Sequence, residues 1–228
     1  MSQLSFPFQV CNDLNPYREE DFLLLAENSA SVNFLQKFFA QKNFFNSQFQ
    51  SLILKGAASS GKTHLLQIFA QKNNAEFLNK EKISDVNLVE FFSANQFYIL
   101  ENFDEIRDEE LILRLINSAS EAQAFLILSV SLKLKFSLPD LLSRLKNIFV
   151  TEIKTPSQES VKLLLANGLS RRQIKLSRAV INFISGAINR HYETIFAVVK
   201  LIELHCQEGG KNLTTKEVRV VLKSCLLG

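Results

Sequence analysis

The stretch Ser51-Leu-Ile-Leu-Lys55, followed without a break by Gly56-Ala-Ala-Ser-Ser-Gly61-Lys62-Thr63 and then by His64, Leu65, Leu66, Ile68 and Phe69, decides the fold. An apolar run of this length suits a buried strand, and the apolar spacing after Thr63 suits a helix. Between them stands a full P-loop pattern in the strand, loop, helix setting that the pattern needs. Glycine belongs at Gly56 and Gly61 because only a residue without a side chain lets the backbone come so close to a phosphate. The chain has just seven glycines, so two in one loop do not follow from a glycine-rich composition. In this reading Gly56, Ser60, Gly61, Lys62, Thr63 and His64 form a nucleotide-phosphate site. Backbone N–H groups and the helix start surround the phosphates, Lys62 neutralises the terminal ones, and the Thr63 hydroxyl holds Mg²⁺.

Outward from that loop, similar apolar runs recur at residues 97–101, 124–130 and 148–153, separated by helical patterns such as residues 110–118. A helical face of Phe34, Leu35, Phe38 and Phe39 within residues 32–45 precedes the first run. This alternation predicts a parallel sheet covered by helices on both faces, an αβα sandwich of the α/β class. A neighbouring strand end should supply the acid that supports Mg²⁺ and a group that orients water. The matching segment is Tyr98-Ile-Leu-Glu101-Asn102-Phe-Asp104-Glu105. Glu101 is the metal-side acid of this reading, and Asn102 stands where a second acid is usual. An amide positions water but takes no proton, so slow intrinsic hydrolysis is expected. The plain alternative is that these acids only terminate a strand.

Near Thr155-Pro156-Ser157-Gln158 the character changes. That segment reads as a capping box with proline at the first helical position, and everything after it reads as helix. Ser177 can cap a helix carrying Val180, Ile181, Phe183 and Ile184, a long helix follows over about 192–206, and Thr214 with Glu217 makes a second capping box. The expected organisation is an extended tail over 1–15, a P-loop nucleotide-binding domain over 16–154 and a small all-helical lid of about four helices over 155–228.

Composition limits the function classes. The 228 residues are 46% hydrophobic and 21% charged with a net charge of +3, ordinary for a globular protein and too small a charge for a strongly basic nucleic-acid surface. Cys11, Cys206 and Cys225 lack metal or disulfide spacing, and His64, His191 and His205 lack ligand spacing, so no structural metal is expected. The N-terminus shows neither a signal peptide nor an apolar span, so a soluble, cytoplasmic protein is expected. The twenty phenylalanines mostly fall at helix or strand periods and read as core.

The spacing from Gly56 through Glu101 to Ser129, and on to Leu138-Pro139-Asp140-Leu141-Leu142-Ser143-Arg144-Leu145, resembles the AAA+ module of the DnaA/Hda family over nearly the whole chain. The resemblance implies ADP or ATP with Mg²⁺ as cofactor and Arg144 as an arginine finger that enters a neighbouring protomer's ATP site. It implies a polar sensor at Ser129, for which a buried strand serine is the plain alternative. The terminal Gln3-Leu4-Ser5-Phe6-Pro7-Phe8 is similar to the family's sliding-clamp-binding peptide. A short extended peptide of this kind docks Leu4, Phe6 and Phe8 in an apolar pocket. The implied role is a clamp-tethered regulator that acts on DnaA and prompts hydrolysis of its ATP. An autonomous ATPase that remodels or loads a replication protein, and a nucleotide-gated adaptor without catalytic effect, are the other readings. Two departures matter. Where the family's lid helix presents an arginine to the phosphates this chain aligns Glu193, with Arg190 one turn earlier, which leaves open whether Arg190 takes that role. The chain also stops at Gly228, where DnaA continues into a DNA-binding domain, so sequence-specific DNA binding is not expected; self-association stays open.

Overall fold

The computed structural model describes residues 17–40, 50–79, 83, 87–131, 135–207 and 213–226. The tail peptide 3–8 lies outside these residues. Strands β1 (Ser51–Gly56), β2 (Glu76–Leu78), β3 (Phe97–Leu100), β4 (Phe125–Val130) and β5 (Phe149–Ile153) form one sheet in the order β2-β3-β4-β1-β5, parallel at every pairing. Helices α1 (Ala26–Ala40), α2 (Lys62–Asn73), α3 (Leu88–Phe91), α4 (Glu109–Glu121) and α5 (Pro139–Lys146) are interleaved with the strands, and α6 (Gln158–Ser170), α7 (Arg178–Ala187), α8 (Tyr192–Gln207) and α9 (Thr215–Leu226) follow them. No described helix is long and apolar enough to cross a membrane.

The two-residue period of the strands divides the core. Leu52, Leu54, Phe97, Ile99, Phe125 and Ile127 face α1 and α2, where Leu35, Phe38, Phe39, Leu65 and Phe69 meet them. Their neighbours Ile53, Tyr98, Leu100, Leu126, Leu128 and Val130 face α4 and α5 through Leu111, Ile112, Leu115 and Leu141. Phenylalanine fills much of the first layer: Phe38 meets Phe97 and Phe125 at ring distances of 6.0 and 5.7 Å, and Phe39 stacks on Phe69 at 5.3 Å. Such pairs add about 0.5–1.5 kcal/mol each beyond the area they bury.

The structure departs from the sequence reading in four places. Strand β2 was not anticipated, because three residues are too few to give an apolar run. Strand β5 is an edge whose Phe149 and Val150 are each 46% exposed, so cover on both faces holds for the inner strands and not for this one. Helix α1 starts at Ala26, six residues before the expected position: Asn28 accepts from Leu25 N at 2.9 Å and donates to Leu23 O at 2.9 Å, folding the chain into the helix. Helix α6 starts at Gln158 with Ser157 as its cap, which leaves Pro156 outside the helix and Thr155 without a capping role.

The fuller cap of α6 comes from α1. Glu27 accepts from Ser157 N at 2.8 Å and from Ser160 Oγ at 2.7 Å. Partial burial pushes its carboxyl up, but the hydrogen bonds from Ser160 and Ser157 outweigh this and hold it below its ordinary 4.5. A carboxyl whose folded-state value is depressed contributes stability above its unfolded value, and the contribution is lost as pH falls through the folded value. Unfolding midpoints measured below pH 4.5 should therefore fall more steeply for the parent than for Glu27→Gln. Equal acid slopes would rule out this role for Glu27. The Ser177 and Thr214–Glu217 caps form as expected, with Val180 N on Ser177 Oγ at 3.3 Å and Thr214 N on Glu217 Oε2 at 2.7 Å.

Candidate phosphate site at the carboxyl ends of the strands

Because β1 and β3 both run parallel to β4 and flank it, their carboxyl ends open on the same edge of the sheet. Ligands of open parallel sheets bind at that edge. The loop leaving β1 doubles back so tightly that a Cβ on Gly56 would stand 2.6 Å from Ser60 Oγ and 3.3 Å from Ile153 Cβ. Gly61 has φ +93°, a backbone that a side chain would strain. From Gly61 the chain enters α2 with no side-chain cap, so the N–H groups of the first turn stay available for an anion. Lys62 is 8% exposed and donates from Nζ to Gly56 O at 2.8 Å and Ala57 O at 3.0 Å. An ammonium has three donors, so one remains. Burial pulls its pKa below the ordinary lysine value, against the raising pull of the Asp104 carboxylate and then of Glu101. The two carboxylates thus offset the cost of burying the ammonium only in part.

Thr63 Oγ1 donates to Glu101 Oε1 at 2.7 Å, bringing the two expected metal-side oxygens together. Among the described residues no group of three or more His, Cys, Asp or Glu side chains could hold a metal. Two oxygens completed by phosphates and water are, however, the usual donor set for Mg²⁺. Two further buried oxygens, Ser60 Oγ and Asp104 Oδ1, lack a hydrogen-bond partner beside this loop. The residues present therefore fit a phosphate with its divalent cation.

Asn102 is left-handed at φ 49° and exposed, and its N–H donates to Ser129 Oγ at 3.1 Å. Ser129 is fully buried, and its hydroxyl holds the turn that leaves β3. A short 3-10 turn (Phe103–Glu105) then brings Asp104 to the end of β4, where Oδ2 accepts from both the backbone N and the hydroxyl of Ser131. Sequence reasoning gave Asp104 and Ser131 no role, although Asp104 lies in the quoted segment and Ser131 two residues beyond Ser129.

A pocket of about 240 Å³ adjoins the loop, lined among others by Phe22, Gly61, His64, Arg171 and Phe196. His64 Nε2 lies 2.8 Å from Arg18 O, with the rings of Tyr17 and Phe22 at 5.6 and 5.4 Å. Arg190 is exposed just before α8 and does not line the pocket, and Glu193 is exposed on the first turn of α8. The residues of α8 that line it are Tyr192 and Phe196. The pocket's cations on this side are Arg171, paired with Asp21 at 2.8 Å, and Arg172, paired with Glu203 at 2.7 Å. The family alignment missed them because they stand in the turn after α6.

Arg144 lies elsewhere. Leu141 and Leu145 anchor the inner face of α5, which leaves Arg144 exposed on its outer side. The helix start is fixed by Glu109 of α4, which accepts from Ser137 N at 2.9 Å and Leu138 N at 2.6 Å. Arg144 lines a small pocket with Gln50 and Ser51, at the amino end of β1. The phosphate loop leaves the other end of that strand, about 16 Å away at roughly 3.3 Å per residue, so Arg144 does not reach its own chain's loop.

No protein-family model and no curated protein matches the sequence. Solved structures do share the fold. Domain III of the replication initiation protein DnaA from Thermotoga maritima aligns with a TM-score of 0.72 at 19% identity, over 92% of this chain and 97% of that one. The AMPPCP-bound DnaA of Aquifex aeolicus gives 0.65 at 19% identity, over 88% and 69%. The Holliday junction branch migration motor RuvB of Thermotoga maritima gives 0.68 at 13% identity, over 92% and 72%. The chain therefore shares the α/β fold of these DnaA and RuvB structures, a parallel sheet with helices as the strand and helix alternation led one to expect.

Proposed function

We propose that the chain is a nucleotide-binding regulator of the DnaA/Hda type, which acts in trans on ATP held by DnaA. Residues 16–154 form its nucleotide domain and 155–228 its lid. ADP or ATP sits on the Gly56–Thr63 loop, with Thr63 and Glu101 on the Mg²⁺ side. The observation that carries the reading is the separation of two functions on one sheet: phosphate-binding groups gather at the carboxyl ends of the strands, while Arg144 stands exposed at the opposite end. A guanidinium so placed serves a neighbour's nucleotide and not its own. Hydrolysis on DnaA then inactivates the initiator, and the tail keeps the regulator on the DNA-loaded sliding clamp. The direct test is phosphate release from ATP-loaded DnaA on addition of this protein with clamp on DNA.

The tether is tested separately. Leu4 and Phe6 are two apolar anchors worth roughly 1.5–3 kcal/mol each, so replacing both with alanine should weaken clamp binding by about two to four orders of magnitude. The fold should be unaffected. A doubly substituted protein that still co-migrates with clamp at parental affinity removes the tail from the mechanism. One observation favours the second reading, an autonomous ATPase: Asp104 brings to the phosphate site a carboxylate that Asn102 does not supply.

A further inference from the structure

The geometry points to Asp104, and not Asn102, as the group that holds the water facing the terminal phosphate, an inference that rests on the nucleotide-site reading above. Four observations converge. Asn102 is exposed, and its left-handed backbone is fixed by the N–H bond to Ser129, so its side chain is left out of the buried cluster beside Lys62. The turn that follows brings Asp104 into that cluster. Ser131 donates to Oδ2 through both its N–H and its hydroxyl, which fixes the carboxylate plane. The other oxygen, Oδ1, is buried without a partner, an expensive arrangement unless a donor meets it. The end of β3 that carries this turn meets the first turn of α2, where Thr63, next to Lys62, donates to Glu101 Oε1 at 2.7 Å.

With Glu101 taken up by Thr63, the chemistry needs one more acceptor close to the terminal phosphate, and Asp104 Oδ1 is the buried acceptor at hand. A water donating to Oδ1 is oriented for in-line attack. Its oxygen bonds to the γ-phosphorus as the bond to the β–γ bridging oxygen breaks, ADP leaves, and the proton passes to the carboxylate and then to solvent. The amide of Asn102 cannot take that proton.

The experiment compares the full chain with Asp104→Asn and Asp104→Glu by calorimetry, using Mg·ADP and Mg·ADP with fluoroaluminate as a mimic of the transferring phosphoryl group. The parent should bind the mimic about tenfold or more tighter than ADP. Asp104→Asn should lose most of that gain while ADP affinity stays within about twofold, and its slow intrinsic ATP turnover should fall by about 10²-fold. Asp104→Glu should recover part of both. Full retention of the gain by Asp104→Asn overturns the inference and leaves the nucleotide site standing. An equal loss of ADP and mimic affinity overturns it too, since it marks a merely structural carboxylate. A parent that binds no ADP overturns the nucleotide site and the inference together.

Discussion

Lys62→Ala is expected to weaken ADP and ATP binding by roughly 10- to 150-fold, the effect of losing one charged hydrogen bond of about 1.5–3 kcal/mol to a phosphate. The prediction rests on where the ammonium stands. Lys62 is buried at the mouth of a helix whose first-turn N–H groups carry no side-chain cap, and two of its three donors are tied to Gly56 O and Ala57 O. The third donor stays available to a phosphate. Burial lowers the Lys62 pKa, and the nearby carboxylates of Asp104 and then Glu101 oppose this only in part. Alanine removes the charge and leaves the backbone cradle, so some affinity should survive through the N–H groups alone. Calorimetry with both nucleotides checks this, and affinities equal to the parent's would remove the phosphate loop from the mechanism. Because Lys62 is not part of the tail peptide, clamp binding should be unchanged.

The parts of this fold legible in the sequence are those written locally. The P-loop, the central strands and the Ser177 and Thr214 caps each depend on residues within a few positions of one another, and each forms as read. What was not legible depends on distant partners. Glu27 caps α6 across 130 positions, and no local pattern marks it. Asp104 gains its place only because a left-handed Asn102 and a short turn return it to Ser131, a contact across 27 positions. The family alignment put Glu193 at the lid position with Arg190 one turn earlier and left the role of Arg190 open, but the pocket wall on this side holds Tyr192, Phe196 and two arginines of a turn, each paired with a distant carboxylate. Edge strand β5 misled for a related reason: apolar composition says that a strand is buried but not how many of its sides are.

Arg144→Ala is expected to abolish stimulation of hydrolysis on DnaA while leaving nucleotide and clamp binding intact. An arginine finger is worth on the order of 10³-fold or more in rate where it reaches a transferring phosphoryl group. Nothing else in α5 carries a positive charge so presented: Lys146 shares the helix end, but its ammonium lacks the planar fork that spans two phosphate oxygens. The substitution should not disturb the fold, since Leu141 and Leu145 hold the inner face of the helix and Glu109 holds its start. An autonomous ATPase would instead turn over ATP substantially without DnaA, and a passive adaptor would leave hydrolysis unchanged whichever residue stands at position 144.

The most direct measurement is phosphate release from ATP-loaded DnaA in the presence of DNA-loaded clamp, with no addition, with the parent chain and with Arg144→Ala. Release accelerated by the parent and returned to the unaided rate by the variant is the result expected of a regulator acting in trans, and equal acceleration by both proteins, or none by the parent, would contradict it.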